Sequence, residues 1–586
     1  YVSGTTGEYN VAIGKDALST NQTGDRNLAI GYQALKVNTG NDNTALGMQS
    51  LYSMTTGQYN VAVGSLSGKL VTTGSYNTAI GYGSYQGYPG YANTGDDNTA
   101  LGYYAMGSNN VSGSDNTAVG LRALYTLNAG ANNVAVGVDA LKVNQAGSSC
   151  VAIGTNALKS DASVEESVAV GMNALMSQTS GRNHAFGFHA LQDLLTGNYN
   201  TAVGGECMEN VTDGSENVGI GAFALRNITS SSNNIGIGYK ALYTQTSGNS
   251  NVGIGHQAGE FISSATYTTL IGAQCGSLVT TNNYNTMMGY YTGRNTTYGE
   301  NNAFFGALAG RYNTGGNRNT YIGCQSVDNS SPHTGNDNVV VGFGAAQNIS
   351  SGYQNILIGK SVASNLTTGI ANIGIGIDAL NSAGDGTGNI AIGYSCMGGG
   401  SMSGTGKNIG IGDATLYNIT TGINNICIGW NAGRSGSSTP QSMGAIITAS
   451  NEIQIGNESH TNAMVQIVWT INSDGRDKTE IKELDLGLEF VNKLKPVTYK
   501  WDKRSKYEDL TPDGTHTEEE LQIGFLAQDI IELEKEYGYT IEDKTNLATW
   551  ESEDKWKVGI KHANLIPSLV KAIQELKAEI EILKTK

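Results

Sequence analysis

A five-residue pattern, Asn-x-x-x-Gly with a few substitutions at its first position, returns along most of this chain at a nearly fixed interval. Its closing glycines run from Gly14 to Gly456; most are 17 residues apart, a few 16 to 21, and the last pair 27. A short fixed period indicates coils that stack on one another and build a quasi-one-dimensional rod. Such a rod is first of all a structural or adhesive device.

Each repeat predicts one short β-strand. In the sequence Asn133-Val134-Ala135-Val136-Gly137, the alternation has period two, so the two valines would share one face and the alanine the other. The alanine face is small in most repeats, which would let another backbone approach closely. Seventeen residues are too few for a β-α-β crossover. They suit a strand, a bend, a second short extended or turn segment, and another bend.

The predicted fold class is therefore mostly β, a 17-residue-repeat β-solenoid or β-roll of about 26 coils over residues 1–456. With strands about 4.8 Å apart, the rod would be on the order of 120 Å long. The recurring asparagine predicts either a ladder of side-chain amides or merely a residue tolerated at a turn. Because one coil encloses little core, the pattern favours a homotrimer, which would bury the small face, over a monomeric solenoid.

Charge divides the chain into two regions. Residues 473–586 carry 18 Lys+Arg and 25 Asp+Glu, whereas residues 1–472 carry 16 and 25, so 457–472 is a connector and 473–586 a second domain. The net charge of −16 argues against nucleic-acid binding. The sequence contains no run of 18 apolar residues, so it predicts no membrane span. The chain starts at Tyr1 without Met or a signal peptide, so we expect an upstream attachment segment.

The sequence predicts no cofactor and no metal. Its six cysteines lie in distant coils without metal or Cys-x-x-Cys spacing, which favours buried apolar side chains over disulfides. The seven histidines are equally scattered. Acidic turns such as residues 94–98 could bind Ca²⁺, but such a stretch is more often only a turn.

The charged region contains four motifs in a specific order: residues 472–478 (NSDGRDK), 494–501 (LKPVTYKW), 524–530 (GFLAQDI) and 565–576 (LIPSLVKAIQEL). Together they resemble the S74 peptidase family, the C-terminal intramolecular chaperone domains of phage tail spikes and fibres. The resemblance covers residues 473–586, about one fifth of the chain, and implies that they form a small α+β chaperone domain ending in a coiled-coil helix.

The resemblance implies that this region trimerises, guides folding of the preceding β-structure, and then cuts itself off between Asn472 and Ser473. Ser473 would be the nucleophile and Lys478 its general base. A lysine can serve as a base only if burial or nearby positive charge lowers its pKa. Arg476 would act in that direction, and the neighbouring aspartates would oppose it. The alternative is that Ser473 caps a turn and Lys478 is a solvated charge.

The last segment predicts a helix over residues 563–585 with a heptad seam. Its apolar residues follow spacings of three and four, and isoleucine at several core positions disfavours dimers. We assign trimerisation to Ile566, Leu569, Ile573, Leu576, Ile580 and Leu583. The alternative is one amphipathic helix that packs on its own domain.

The repeats are also similar to the head repeats of trimeric autotransporter adhesins, which are shorter than 17 residues and therefore suggest only a β-roll trimer. The 21-residue step between Gly81 and Gly102 contains an inserted tyrosine-rich loop. Tyrosine combines a flat apolar ring with a hydroxyl, so Tyr85, Tyr88 and Tyr91 are candidates for receptor contact. A bulge that only carries tyrosines is the alternative.

The sequence thus predicts a trimeric tail fibre or spike of a phage or another virus, made in the host cytoplasm and located in the virion. It would bind a host-surface glycan or protein and join other virion proteins through the upstream segment. The tail would be a single-turnover self-cleaving serine endopeptidase, with no enzymatic activity in the rod. A bacterial or other surface adhesin rod and a polysaccharide depolymerase spike remain alternatives.

Overall fold

The computed structural model describes residues 6–108, 110–160, 162–163, 165–329, 331–404, 406–434, 446, 448–457, 460, 473–504, 507, 511–551 and 558–586. The chain divides into two compact units, Tyr1–Thr334 and Gly335–Lys586.

The first unit is built from three-residue β-strands, one per repeat. Among its described residues there are 19: β1 Val11–Ile13, β2 Leu28–Ile30, β3 Thr44–Leu46, β4 Val61–Val63, β5 Thr78–Ile80, β6 Thr99–Leu101, β7 Thr117–Val119, β8 Val134–Val136, β9 Val151–Ile153, β10 Val168–Val170, β11 His184–Phe186, β12 Thr201–Val203, β13 Val218–Ile220, β14 Ile235–Ile237, β15 Val252–Ile254, β16 Thr269–Ile271, β17 Thr286–Met288, β18 Ala303–Phe305 and β19 Thr320–Ile322.

The second unit continues the same repeat and adds an α+β region. Its repeat strands are β20 Val339–Val341, β21 Ile356–Ile358, β22 Ile373–Ile375, β23 Ile390–Ile392, β24 Ile409–Ile411, β25 Ile426–Ile428 and β26 Ile453–Ile455. Then come α1 Leu488–Lys493, β27 Val497–Tyr499, β28 Gln522–Gly524, α2 Ala527–Glu536, β29 Thr549–Glu551, β30 Val558–Ile560 and α3 Leu565–Lys584.

Neighbouring repeat strands pair in parallel and in register. Val134 lies opposite Val151, one repeat away, and Ala135 lies opposite Ala152. The same pairing joins β20 to β21 in the second unit. Each repeat is therefore one coil of a β-solenoid, and the predicted fold class is confirmed.

The orientation of the strand faces differs from the sequence-based prediction. In every strand from β2 to β19 the middle residue is buried, whereas the first and third residues are partly or fully exposed. In β8 the buried residue is Ala135. The small face therefore lies inside each coil, where Leu141 and its equivalents fill the remaining space, and it is not left exposed for contact between chains.

The glycine that ends each strand is required by the next coil. Gly137 has φ +139°, and a Cβ placed on it would lie 2.5 Å from the carbonyl oxygen of Gly154. Side chains of L-residues rarely adopt that conformation, and the contact leaves no room for a methyl group. The regularly spaced glycines thus lie where the backbones of consecutive coils are in contact.

The recurring asparagine forms a buried ladder, the first of the two alternatives. Asn217 accepts a hydrogen bond from the Asn234 backbone N–H at 3.0 Å through Oδ1. Its Nδ2 donates to the Ser231 carbonyl oxygen at 2.8 Å and to Asn200 Oδ1 at 3.0 Å. Ser167 stands in the same column and replaces the amide, since its hydroxyl accepts from the Asn183 N–H at 3.1 Å.

The position in the repeat that supplies the large buried side chain differs between coils of the first unit. Most early coils carry Ala in the middle of the strand and a buried Leu after it, as with Ala135 and Leu141. In β18 the middle residue is Phe304, fully buried, and Gly310 stands where other coils have Leu. A Cβ on Gly310 would lie 2.8 Å from the Phe304 ring. The large residue of a coil can therefore take either of two positions, as these two coils show.

The α+β region has its own small core. Strands β27 and β28 form one antiparallel pair, and β29 and β30 form another. The core residues come from all three helices and the segments beside them: Leu486, Phe490, Ile530, Leu533, Ala548 and Leu565. Helix α3 follows a 3₁₀ turn at His562–Asn564, so it begins two residues after the predicted start. None of the helices in the described residues is both long and apolar enough to cross a bilayer.

Candidate functional site

A short turn opens the charged region and places its first residues. Asp474 precedes the 3₁₀ turn Gly475–Asp477 and accepts a hydrogen bond from the Arg476 backbone N–H at 2.9 Å. At the end of the turn the Lys478 N–H donates to the Gly475 carbonyl oxygen at 3.3 Å. A single tight turn with a side-chain cap reverses the chain. It thereby brings the side chains on either side of it together.

The two residues brought together are Ser473 and Lys478. Lys478 Nζ is in direct hydrogen-bond contact with Ser473 Oγ and lies 3.5 Å from the Ser473 carbonyl oxygen. A hydroxyl beside an amine has the geometry of a nucleophile and its base. The five-residue separation predicted this proximity. Both residues are exposed in the single chain.

The charges around this pair are arranged differently from the expectation for Arg476. Its guanidinium lies 2.5 Å from Asp474 Oδ2, and this hydrogen bond lowers the pKa of the Asp474 carboxyl. The positive charge of Arg476 is therefore matched by Asp474 and is not directed at Lys478. The other predicted residue of the cleavage site, Asn472, lies outside the described residues.

Helix α3 holds the segment that follows the turn. Lys571 contacts Glu483, and Glu575 accepts a hydrogen bond from the Leu488 backbone N–H at 2.6 Å. The hydrogen bond from Lys571 lowers the pKa of the Glu483 carboxyl. These partners are more than 80 residues apart in sequence. No local pattern could have indicated them.

A buried carboxylate fastens helix α2 to strand β29. Glu534 accepts hydrogen bonds from the backbone N–H groups of Leu547 at 2.7 Å and Ala548 at 2.6 Å, and from the Thr549 hydroxyl. A buried carboxylate is tolerated only where such donors surround it. Sequence reasoning missed Glu534 because it appears as an ordinary charged residue of an amphipathic helix.

The two faces of α3 have different environments. Leu565, Ser568 and Ala572 are buried against the region's own core. The predicted seam lies on the exposed surface of the helix in the single chain: Ile566, Leu569, Ile573, Leu576, Ile580 and Leu583. The alternative of packing on its own domain thus holds for one face, while the seam residues remain available for contact with other chains.

The tyrosine-rich loop requires a correction. Tyr85 is buried, and its hydroxyl donates to the Gly95 carbonyl oxygen at 3.1 Å and accepts from Asn98 Nδ2 at 3.2 Å. Burial raises the pKa of Tyr85. It stands where most coils have their core leucine, so it cannot reach a receptor. Tyr88 and Tyr91 are exposed, with ring centroids 6.5 Å apart.

The first unit also exposes tyrosines that sequence reasoning did not select. Tyr82 and Tyr103 are both exposed and stack with ring centroids 5.6 Å apart. They follow the strand glycines of consecutive coils, so their proximity could have been read from the repeat.

The cysteines of the repeats are free, and five of the six are buried, as expected. Burial raises the pKa of the Cys207 thiol to about 12. Cys324 differs from the expectation because it is exposed. Within the part of the chain that the structure describes, no group of three or more His, Cys, Asp or Glu residues could hold a metal ion.

Comparison with known proteins gives one match. Residues 473–539 match the family model Peptidase_S74, described as the chaperone of endosialidase. That family consists of intramolecular chaperones with self-cleavage. No curated protein and no solved structure matches the chain. The match begins at Ser473, the first residue of the Ser-Lys pair.

Proposed function

We propose that this chain is a subunit of a trimeric fibre or spike of a phage or another virus, which acts in host attachment. Its C-terminal region assists folding and assembly and then releases itself by cutting between Asn472 and Ser473. The observation that carries the proposal is the contact between Lys478 Nζ and Ser473 Oγ at the start of the matched segment. The β-solenoid that precedes this segment is consistent with a protein of the tail-spike type.

The cleavage step can be written with these two residues. Lys478 Nζ takes the proton from Ser473 Oγ, which attacks the carbonyl carbon of Asn472. The bond to the Ser473 nitrogen breaks, this nitrogen receives the proton, and the acyl group is left as an ester on Ser473 Oγ. Water then hydrolyses the ester. The products are a free carboxyl at Asn472 and a new chain that begins with Ser473.

This chemistry depends on a neutral lysine, because a protonated amine cannot accept the hydroxyl proton. Lys478 is exposed in the single chain, and Arg476 is paired with Asp474. Burial of the turn against other chains would disfavour a charged amine, because a charge loses its hydration there. Assembly would then precede cleavage, which suits a chaperone that leaves only after its work is done.

The exposed seam of α3 supports assembly into a trimer. Its six apolar residues repeat at spacings of three and four over the 20 residues of the helix. Isolated exposed leucines and isoleucines are ordinary, but a continuous stripe of them at heptad spacing is typical of contact between helices.

For host attachment we propose the loop with Tyr88 and Tyr91, together with the stacked pair Tyr82 and Tyr103. Exposed tyrosines offer a flat apolar ring and a hydroxyl, which suits a host-surface glycan or protein. Replacing Tyr88 and Tyr91 by alanine should weaken binding of the purified trimer to host cells, whereas replacing the buried Tyr85 by phenylalanine should not. Equal binding by all three proteins would remove this loop from the proposal.

Cleavage is tested by expressing the full chain beside Ser473→Ala and Lys478→Met variants and comparing them on denaturing gels. The parent should release a fragment of about 13 kDa, which is the summed mass of its 114 residues, 473–586. Both variants should remain intact. Sequencing the fragment should give Ser473 as its first residue. Asp513→Asn, on a turn that makes no contact with the Ser-Lys pair, is the matched control and should be cut normally.

The outcome that contradicts the proposal is a parent chain that stays intact although it is folded and trimeric. The tail would then be a retained assembly cap, and the adhesin interpretation would be favoured. Cleavage that survives in Ser473→Ala would instead show that another nucleophile acts.

A further inference from the structure

One surface of the first unit carries no acidic or basic side chain other than His184 along its described strands, and most of its residues are apolar, with Thr as the first residue of eight strands. It consists of the first and third residues of strands β1–β19, and we call it the outer strand face. None of these positions holds Asp, Glu, Lys or Arg. Third-position residues such as Leu101, Ile153 and Ile220 keep 42 %, 41 % and 40 % of their surface exposed.

The outer strand face is larger than the apolar patches that monomeric proteins usually expose. Nineteen strands about 4.8 Å apart, with three residues of about 3.3 Å each, give a flat area on the order of 900 Å². Of its 38 outward positions 29 are apolar, and monomeric proteins rarely expose apolar patches above a few hundred Å². A stable interface needs about 800 Å² from each partner. The outer strand face has the size of an interface, and its backbone hydrogen bonds are already made within the sheet.

The absence of charge identifies the kind of partner. Charges do occur elsewhere on the same coils, as in the ion pair of Arg26 with Asp42 and that of Arg226 with Glu209. None of them stands at an outward position of a described strand of this unit. A charged partner would find no Asp, Glu, Lys or Arg to pair with there, whereas an identical, mostly apolar face would bring none of these charges with it. A repeating face also matches itself coil by coil.

We infer that the outer strand face is the surface through which copies of this chain pack on one another, in parallel and in register. The inference rests on the proposed trimer and adds to it the surface of contact. It also reverses the sequence-based expectation, because the alanine face that was assigned to this contact is enclosed within each coil. In the assembly, the outward side chains of each chain are buried against those of the other chains, and the contact resembles the hydrophobic core of a domain.

Thiol accessibility in the full chain tests the inference. Ile153→Cys lies on the outer strand face, and Leu195→Cys, at a residue 42 % exposed outside the strands, is the matched control. Both are made with Cys324→Ser, because Cys324 is the exposed native cysteine. In the trimer the cysteine at 153 should react with a maleimide roughly tenfold or more slowly than that at 195. Under mild oxidation it should also form disulfide-linked dimers.

A second pair of variants tests the energetics. Leu101→Glu with Ile153→Glu places charges on the outer strand face, whereas Val37→Glu with Leu195→Glu places them on residues of equal exposure outside the strands. Burial of unpaired carboxylates is unfavourable. The first pair should therefore lower the temperature at which the trimer dissociates, measured by light scattering, and the control pair should leave it unchanged.

The outcomes separate the inference from the proposed function. A trimeric parent in which both cysteines react at the same rate, and in which neither glutamate pair alters dissociation, overturns the inference and leaves the trimer intact. The outer strand face would then be open to a lipid or another protein. A parent that sediments as a monomer overturns both. If the glutamate variant fails to fold, the cysteine measurements still decide.

Discussion

Replacing Asn217 by alanine should open the solenoid locally, because the amide serves two neighbouring coils. The substitution leaves the Asn234 backbone N–H and the Ser231 carbonyl oxygen without their buried partner. An unsatisfied buried polar group costs about 1–3 kcal/mol. We therefore expect a loss of about 4 kcal/mol in the free energy of local opening, or roughly a thousandfold in the opening equilibrium.

Hydrogen exchange is the appropriate assay, since long repeat proteins do not always unfold in a single step. Protection of the amides around residues 217–234 should fall in Asn217→Ala. Asn217→Ser should recover part of the loss, because Ser167 in the same column accepts from the Asn183 N–H and donates to the Gly181 carbonyl oxygen, each at 3.1 Å.

The control is Asn198→Ala, at an exposed asparagine one coil earlier. It should change stability by less than about 0.5 kcal/mol. The reasoning is refuted if Asn217→Ala and Asn198→Ala reduce protection equally, or if the serine variant is no better than the alanine variant.

Three further predictions concern other buried groups. Gly310→Leu should destabilise the first unit because the new side chain clashes with the Phe304 ring. Phe304→Ala should destabilise it by about 3–5 kcal/mol because it leaves a cavity. The double variant should melt at a higher temperature than either single variant, because other coils hold a leucine at the position of Gly310. Burial lowers the pKa of His333 to about 4 from 6.5, so the unfolded chain takes up the proton first as pH falls. The free energy of unfolding should therefore drop by about 3 kcal/mol between pH 6.5 and pH 4. Melting curves of the parent should show this loss, and those of His333→Gln should not. Glu534→Ala should destabilise the α+β region by about 3 kcal/mol in urea titrations, since three donors lose their acceptor, while the exposed Glu532→Ala should have little effect.

Several features of this protein follow from its sequence alone. The constant spacing of the strand glycines indicates one coil per repeat, and the alternation in residues 133–137 indicates one strand per coil. The Ser-Lys proximity is also local, because five residues around one tight turn leave few arrangements. These predictions succeed because each depends on neighbours in the chain, or on a period that every coil shares.

The choice of the inward face needed the tertiary structure. Alternation separates Val134 and Val136 from Ala135, but it does not say which side the chain will enclose. The coil is narrow, and its interior already holds Asn133 and Leu141, so the strand can contribute only a small residue. The larger valines must lie outside, contrary to the usual expectation that bulk belongs in the core.

The remaining differences have the same cause. Tyr85 belongs to an inserted tyrosine-rich segment, yet it occupies the leucine position of its coil and is buried there. Glu534 and Lys571 are of residue types that usually lie at the surface, and their hydrogen-bond partners are on distant segments of the chain. The sequence determined the repeat, its strands and the turn that joins Ser473 to Lys478, because these are local. Only the tertiary structure decided which side chains are enclosed and which remain exposed, because that depends on the space left by residues far along the chain.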